Sequence, residues 1–265
     1  MNNALLINTV QQTNFVSPLR YISGRIVEYD MKQANVSILY QKGAISYEFY
    51  NFLCNSPKMY REREIGMMER RDQTIYDIIS NGIKEYKLKF VELNKINLNQ
   101  IVRIANDAIY VNTPIDFQNT IVDNYIEFRP KSISNVMVQL QKDLLIFIEF
   151  GIDKINIDVK GIGDKYLLHS NYFLNIIGTT IFLSERSGVD DALRYLSDII
   201  AQYINKKLDI NYYKEFNSES MYRINVMNHV YLSIDADNSC KSALDINYNL
   251  GLLRELWSII LERYR

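Results

Sequence analysis

Glu28-Tyr29-Asp30-Met31-Lys32-Gln33-Ala34-Asn35-Val36-Ser37-Ile38-Leu39 runs an apolar, strand-like segment into a lone aspartate and then continues as a helix. Arg25 to Tyr29 alternate with the period of a strand, whereas Lys32 to Tyr40 carry apolar residues at helical spacing. Asp30 stands at the junction. The arrangement recurs in Arg103-Ile104-Ala105-Asn106-Asp107-Ala108-Ile109-Tyr110-Val111, where Asp107 lies inside an apolar, β-branched run and an unpaired charge would be costly to bury. Two strand-borne aspartates point to a divalent metal, because Mg²⁺ is oxygen-ligated and often takes only one or two protein carboxylates.

Outward from these segments, Ser46 to Lys89 reads as helical, with Ser56-Pro57 marking one helix start and Asp72 capping another. Gln100–Arg103 and Ala108–Asn112 form a hairpin around Asp107, and 125–129, 144–150 and 154–159 supply further strands. The pattern predicts an α+β protein: an antiparallel sheet with helices on one face over residues 1–160, interrupted by a helical insertion at about 45–92, then a helical region over 161–265. In that second region helices fall at roughly 165–184 and 189–207, and a tyrosine-rich extended stretch begins at Asp209. Leu250, Leu253, Trp257, Ile260 and Tyr264 repeat in steps of three and four, so the segment 241–265 either docks on its own core or offers a seam to a partner or to a second copy.

Composition narrows the function. The chain of 265 residues carries a formal net charge of −1, so attraction to nucleic acid has to come from a local patch rather than from the whole protein. Cys54 and Cys240 are too few for a disulfide framework or a zinc cluster. No segment reaches the roughly 20 apolar residues of a membrane span, so a cytoplasmic protein is expected, in an infected host if the source is viral. His169 and His229 lie far apart and without acidic or cysteine partners at ligand spacing, and Gly161-Ile162-Gly163-Asp164 completes no phosphate-binding fingerprint.

The segment from Asp30 to Leu39 resembles the first palm motif of family B DNA polymerases of phage or mobile-element type, an aspartate followed by S-L-Y-P-S-I, with Ser37 and Ile38 matching. Lys58 and Gly66, eight positions apart, are similar to that family's fingers motif, although its N-S and Tyr are absent. Asn106-Asp107-Ala108-Ile109 resembles the D-T-D-S motif with Ala105 in place of its first aspartate, and Asp158-Val159-Lys160-Gly161-Ile162 resembles the K-G-I stretch at the palm–thumb junction. The order of the four elements is kept over about residues 24–216.

The resemblance implies a palm-like sheet, a helical fingers stub and a thumb-like region. It implies template-directed nucleotidyl transfer on a primer-template, with nucleoside triphosphates as substrates. Asp30 and Asp107 would ligate two Mg²⁺ or Mn²⁺ ions, Lys58 and Arg61 would meet the triphosphate, and Asn35 would sit where the sugar-sensing tyrosine stands. Lys160 and Lys165 would face duplex backbone.

Other readings stay open. Asp30 alone fits a helix N-cap and Asp107 alone fits an Asn-Asp turn. Arg61, Arg63, Arg70 and Arg71 alternate with Glu62, Glu64 and Glu69 as in a solvated, ion-paired helix. The fingers are short, with only positions 40–57 between Leu39 and Lys58, and residues 160–216 balance seven basic against seven acidic side chains. A polymerase-derived binding or assembly protein that has lost turnover is therefore the second expectation.

Overall fold

Alternation along one strand decides which residues are buried and which are offered to a ligand. A computed structural model describes residues 3–142, 144–161, 171–209, 212 and 243–263. In chain order its elements are α1 (Asn3–Val10), β1 (Asn14–Val16), β2 (Tyr21–Met31), α2 (Ala34–Gln41), α3 (Tyr47–Asn55), α4 (Lys58–Arg71), α5 (Gln73–Leu93), β3 (Ile101–Ala105), β4 (Ala108–Asn112), β5 (Ile121–Asp123), β6 (Ile126–Gln141), β7 (Leu144–Phe150), β8 (Ile155–Lys160), α6 (Asn171–Arg186), α7 (Val189–Ile204) and α8 (Ala243–Glu262). The protein is α+β and its strands pair antiparallel. Two compact units share the chain: unit 1 holds residues 1–18 and 24–134, unit 2 holds 19–23 and 135–265. The division falls inside β6, because β7 and β8 pack with the helices that follow them.

In unit 1 the strands run in the order β1-β3-β4-β2-β6, with β5 beside β6. Val27, Tyr29 and Met31 of β2 enter a core with Ile109 and Val111 of β4, Ala34 and Ile38 of α2, and Tyr86, Phe90 and Val91 of α5. Successive side chains of a strand point to opposite faces, so Glu28 and Asp30 project away from those helices. The helical insertion follows its sequence signals: Ser46 caps α3 by accepting from the Phe49 N–H, and Asp72 caps α5 by accepting from Thr74 at 2.9 Å. Asp30 is not a cap. It stays in β2, and the cap of α2 is Gln33, held at a left-handed φ of 49°.

The hairpin around Asp107 pairs Ala105 with Ala108, and Asn106 turns the chain at φ 48°, a conformation asparagine tolerates better than most residues. β6 is longer than the expected strand at 125–129, running through Pro130 to Gln141. Its registers with β5 (residues 126 and 127) and β7 (136–141) leave Pro130 between the two partners, where a missing N–H breaks neither ladder.

In unit 2, β6 pairs with β7 and β7 with β8, and Val136, Val138, Ile146 and Ile148 share a core with Phe173, Ile177, Leu196 and Leu256. Most of the C-terminal apolar stripe belongs to this core: Leu253 and Ile260 lie in it and Trp257 packs against it, while Leu250 is buried as well. Tyr264, residues 241–242 and the tyrosine-rich stretch past Asp209 fall outside the described residues, Tyr212 excepted. Among the described residues no helix is long and apolar enough to cross a membrane.

Gly82 sets how closely α5 approaches α2. A Cβ built there would overlap Ile38 Cγ2, an atom fixed on a β-branched carbon. Alanine is favoured over glycine in a helix by about 1 kcal/mol, but overpacking typically costs about 1–3 kcal/mol. Gly82→Ala should therefore lower the thermal midpoint, and a denaturation curve at or above wild type would refute the close approach.

Candidate functional site

The two aspartates meet because β2 and β4 are neighbours in register. Asp30 pairs with Ala108, the residue after Asp107, and the Met31 N–H donates to the Asp107 carbonyl at 3.3 Å. Both side chains line one cleft of about 420 Å³. Its other walls are the first turn of α2, through Ala34, Asn35 and Val36, the first two turns of α4, through Lys58, Arg61, Glu62 and Ile65, and Lys131 of β6. Asp30, Asn35, Lys58, Arg61 and Asp107, singled out from three separate segments, are thus brought together.

The local sequence explains each placement. Pro57 precedes Lys58 with φ −54°, close to the helical value, and its carbonyl accepts from the Arg61 N–H at 3.1 Å, so α4 starts with its basic residues at the cleft. Lys58 reaches Glu62 at 3.6 Å but its side chain is 77% exposed, a pairing that holds it weakly. Helix N-termini also present unbonded N–H groups and a partial positive charge, and both α2 and α4 begin at this cleft.

Burial raises the Asp30 carboxyl above the ordinary aspartate value, and repulsion from Asp107 adds to the rise against the opposing pull of Lys131. Burial likewise raises Asp107, outweighing its own backbone N–H, Lys131, Lys87 and Lys58. Lys87, completely buried behind Asp107 with its ammonium 2.8 Å from the Gln12 carbonyl, is pushed down by burial to about 8.

These shifts carry a sign. A carboxyl whose folded pKa lies above its unfolded value favours the fold at low pH, and that contribution fades as pH rises through the folded pKa. At neutral pH the Asp107 charge therefore opposes folding. Asp107→Asn should stabilise the metal-free protein by about 1 kcal/mol at pH 7, the scale of gains from relieving a functional site, with the gain shrinking toward pH 4. Chemical denaturation at the two pH values measures it, and destabilisation at pH 7 would contradict the burial argument.

Glu28 and Lys131 were not singled out in the sequence. Glu28 Oε2 accepts from Ser132 Oγ at 2.8 Å, and its Oε1 lies 3.2 Å from Lys131 Nζ, which is also 3.7 Å from Asp30 Oδ2. Glu28 had a signal, the period-two alternation that puts it on the face of Asp30. Lys131 had none, since it reaches the site from a strand a hundred residues away.

A divalent cation here would rest on few protein groups. Among the described residues no cluster of three or more His, Cys, Asp or Glu side chains is arranged to hold a metal. Two desolvated carboxylates that repel each other nonetheless fit a Mg²⁺ or Mn²⁺ ion that takes its remaining oxygens from water and phosphate. Lys160 belongs to unit 2, where it lies 2.8 Å from Asp158, and Lys165 falls outside the described residues.

Fold and site together define an α+β protein whose antiparallel strands present a carboxylate pair to a cleft walled by the starts of two helices. The chain belongs to the Bacteriophage PBS1 gene 130 protein family, whose profile matches residues 5–262. None of the curated proteins matches it.

Proposed function

We propose that this phage-family protein is a compact core resembling family B polymerases, acting in template-directed nucleotidyl transfer in the infected cytoplasm. The observation that carries the reading is the convergence of Asp30, Asn35, Lys58, Arg61 and Asp107 on one cleft, in the order the polymerase motifs require. Asp30 and Asp107 would hold Mg²⁺ or Mn²⁺. When bound, such ions supply Lewis-acid stabilisation of the reacting phosphate and lower the pKa of the attacking hydroxyl.

The charges lining the cleft explain why nucleotide and metal would bind together. Asp30, Glu62 and Asp107 face Lys58, Arg61 and Lys131, so the walls are formally neutral. A neutral cleft holds a triphosphate weakly, and divalent ions entering with the nucleotide would make it cationic. Lys58 and Arg61 would then neutralise phosphate oxygens, the lysine as a point charge and the arginine as a planar fork. The first-turn N–H groups of α2 would add fixed dipoles that need no rearrangement. Asn35, shorter than a tyrosine, would leave more room beside the sugar. Lys160 and Lys165 would contact primer-template backbone.

A second reading, a polymerase-derived assembly or nucleic-acid-binding protein without turnover, draws on Ala105, which stands where the resemblance puts an acid, and on Lys131 beside Asp30. In that case the face of α8 not used by its own core would be the contact for a partner or a second copy.

The deciding experiment is primer extension by the purified protein with labelled deoxynucleotides, in Mg²⁺ and then in Mn²⁺. Extension that requires the metal supports the polymerase reading. No extension, combined with primer-template binding that ignores EDTA, supports the second.

A further inference from the structure

We infer that Lys131 is an internal counter-ion to the carboxylate pair, one that a divalent cation has to displace, so that it sets the threshold for metal loading. This rests on the reading of Asp30 and Asp107 as metal ligands. Three features of the geometry support it.

The ammonium is aimed and not merely near. Glu28 is 3% exposed and fixed by the Ser132 hydroxyl, so its carboxylate cannot turn to water, and it holds Lys131 Nζ at 3.2 Å while Asp30 lies at 3.7 Å. The ammonium also lines the same cleft as both aspartates. Finally, the side chain can leave: 56% of Lys131 is exposed, so its flexible stem can carry the charge to solvent without disturbing β6.

A tethered monovalent cation beside a carboxylate pair and a free divalent cation compete for the same negative charge. With Lys131 seated, a lone metal ion gains less on entering. Lys131 is in this sense a positioning residue: it keeps the buried pair compensated in the metal-free protein, and its removal should make metal binding tighter rather than weaker. A residue that merely supported the site would give the opposite result.

The test is Mn²⁺ binding without nucleotide, followed by electron paramagnetic resonance on the full chain, for wild type, Lys131→Met, Lys131→Arg and Asp30→Asn. Lys131→Met should tighten Mn²⁺ binding by about tenfold at low salt, the scale of one partly screened charge a few ångströms away, and the gain should shrink at high salt. Lys131→Arg should stay within about threefold of wild type, because it keeps the charge. Since Lys131→Met strands a buried Glu28, the double variant Glu28→Gln/Lys131→Met is measured beside it and should keep a smaller tightening, because it also removes the Glu28 charge, which acts on Asp30 more weakly than Lys131 does. Unchanged or weaker Mn²⁺ binding in both folded variants, with wild-type binding abolished by Asp30→Asn, overturns the role of Lys131 and leaves the metal site standing. If no variant binds Mn²⁺, or Asp30→Asn binds as wild type does, the two-aspartate site itself fails and this inference with it.

Discussion

Asp30→Asn and, separately, Asp107→Asn are expected to reduce metal-dependent nucleotide incorporation by about 10³-fold or more. The estimate follows from the several kcal/mol of charge stabilisation that a catalytic metal contributes, each 1.36 kcal/mol being roughly a factor of ten in rate. Asparagine keeps the shape of the side chain and one oxygen but removes the charge, and among the described residues no third His, Cys, Asp or Glu is grouped with the two aspartates to replace it. Glu28 cannot take over, because its carboxylate is committed to Ser132 and Lys131. The loss should appear in turnover while the fold persists, and for Asp107→Asn it should accompany the gain in stability argued above. A misfolded variant cannot produce that pairing of a dead and more stable protein. Incorporation within tenfold of wild type in either variant would refute the mechanism.

Phe90→Ala should cost unit 1 about 3–5 kcal/mol, the range for emptying a large buried aromatic site. Phe90 is wholly buried in α5, stacks on Phe128 of β6 at 4.4 Å between ring centres, and touches Tyr29 of β2 at 5.3 Å and Phe117 at 5.9 Å. Tyr29 is in turn fixed by its hydroxyl, which accepts the Phe117 N–H at 3.0 Å. Because Tyr29 precedes Asp30, this aromatic cluster fastens the carboxylate strand from behind. Phe90→Leu, which keeps more volume, should cost less than half as much. Urea denaturation followed through the tyrosines would measure both. A loss under about 1 kcal/mol for the alanine variant is incompatible with a core packed to native density.

How far the fold was legible depended on how locally each element is encoded. The switch from period two to helical spacing around Asp30 placed β2 and α2, and Ser46, Pro57 and Asp72 marked the helix starts because caps act on their own first turn. The Asn106-Asp107 turn was readable for the same reason. β1 and β5, at three residues each, are too short to show a period. The run of β6 past Pro130 depends on its place between β2 and β7 in the sheet, which is a tertiary fact. The candidate site divides in the same way. Asp30, Asn35, Lys58, Arg61 and Asp107 could be found by order and spacing, whereas Lys131 joins them only through the pairing of β6 with its neighbours, and Glu28 looked like one more strand residue until that lysine arrived.

The allotment of residues 19–23 to unit 2 bears on how the protein is made. Arg20 pairs with Glu255, and Tyr21 donates to Glu185 at 2.7 Å while accepting from Arg263, so this short piece of early chain is tied to α6 and, across more than 230 positions of sequence, to α8 and the residue that follows it. Ribosomes add about 5–20 residues per second. Unit 1 can assemble its strands as soon as β6 emerges, whereas residues 19–23 must wait until translation delivers their distant partners.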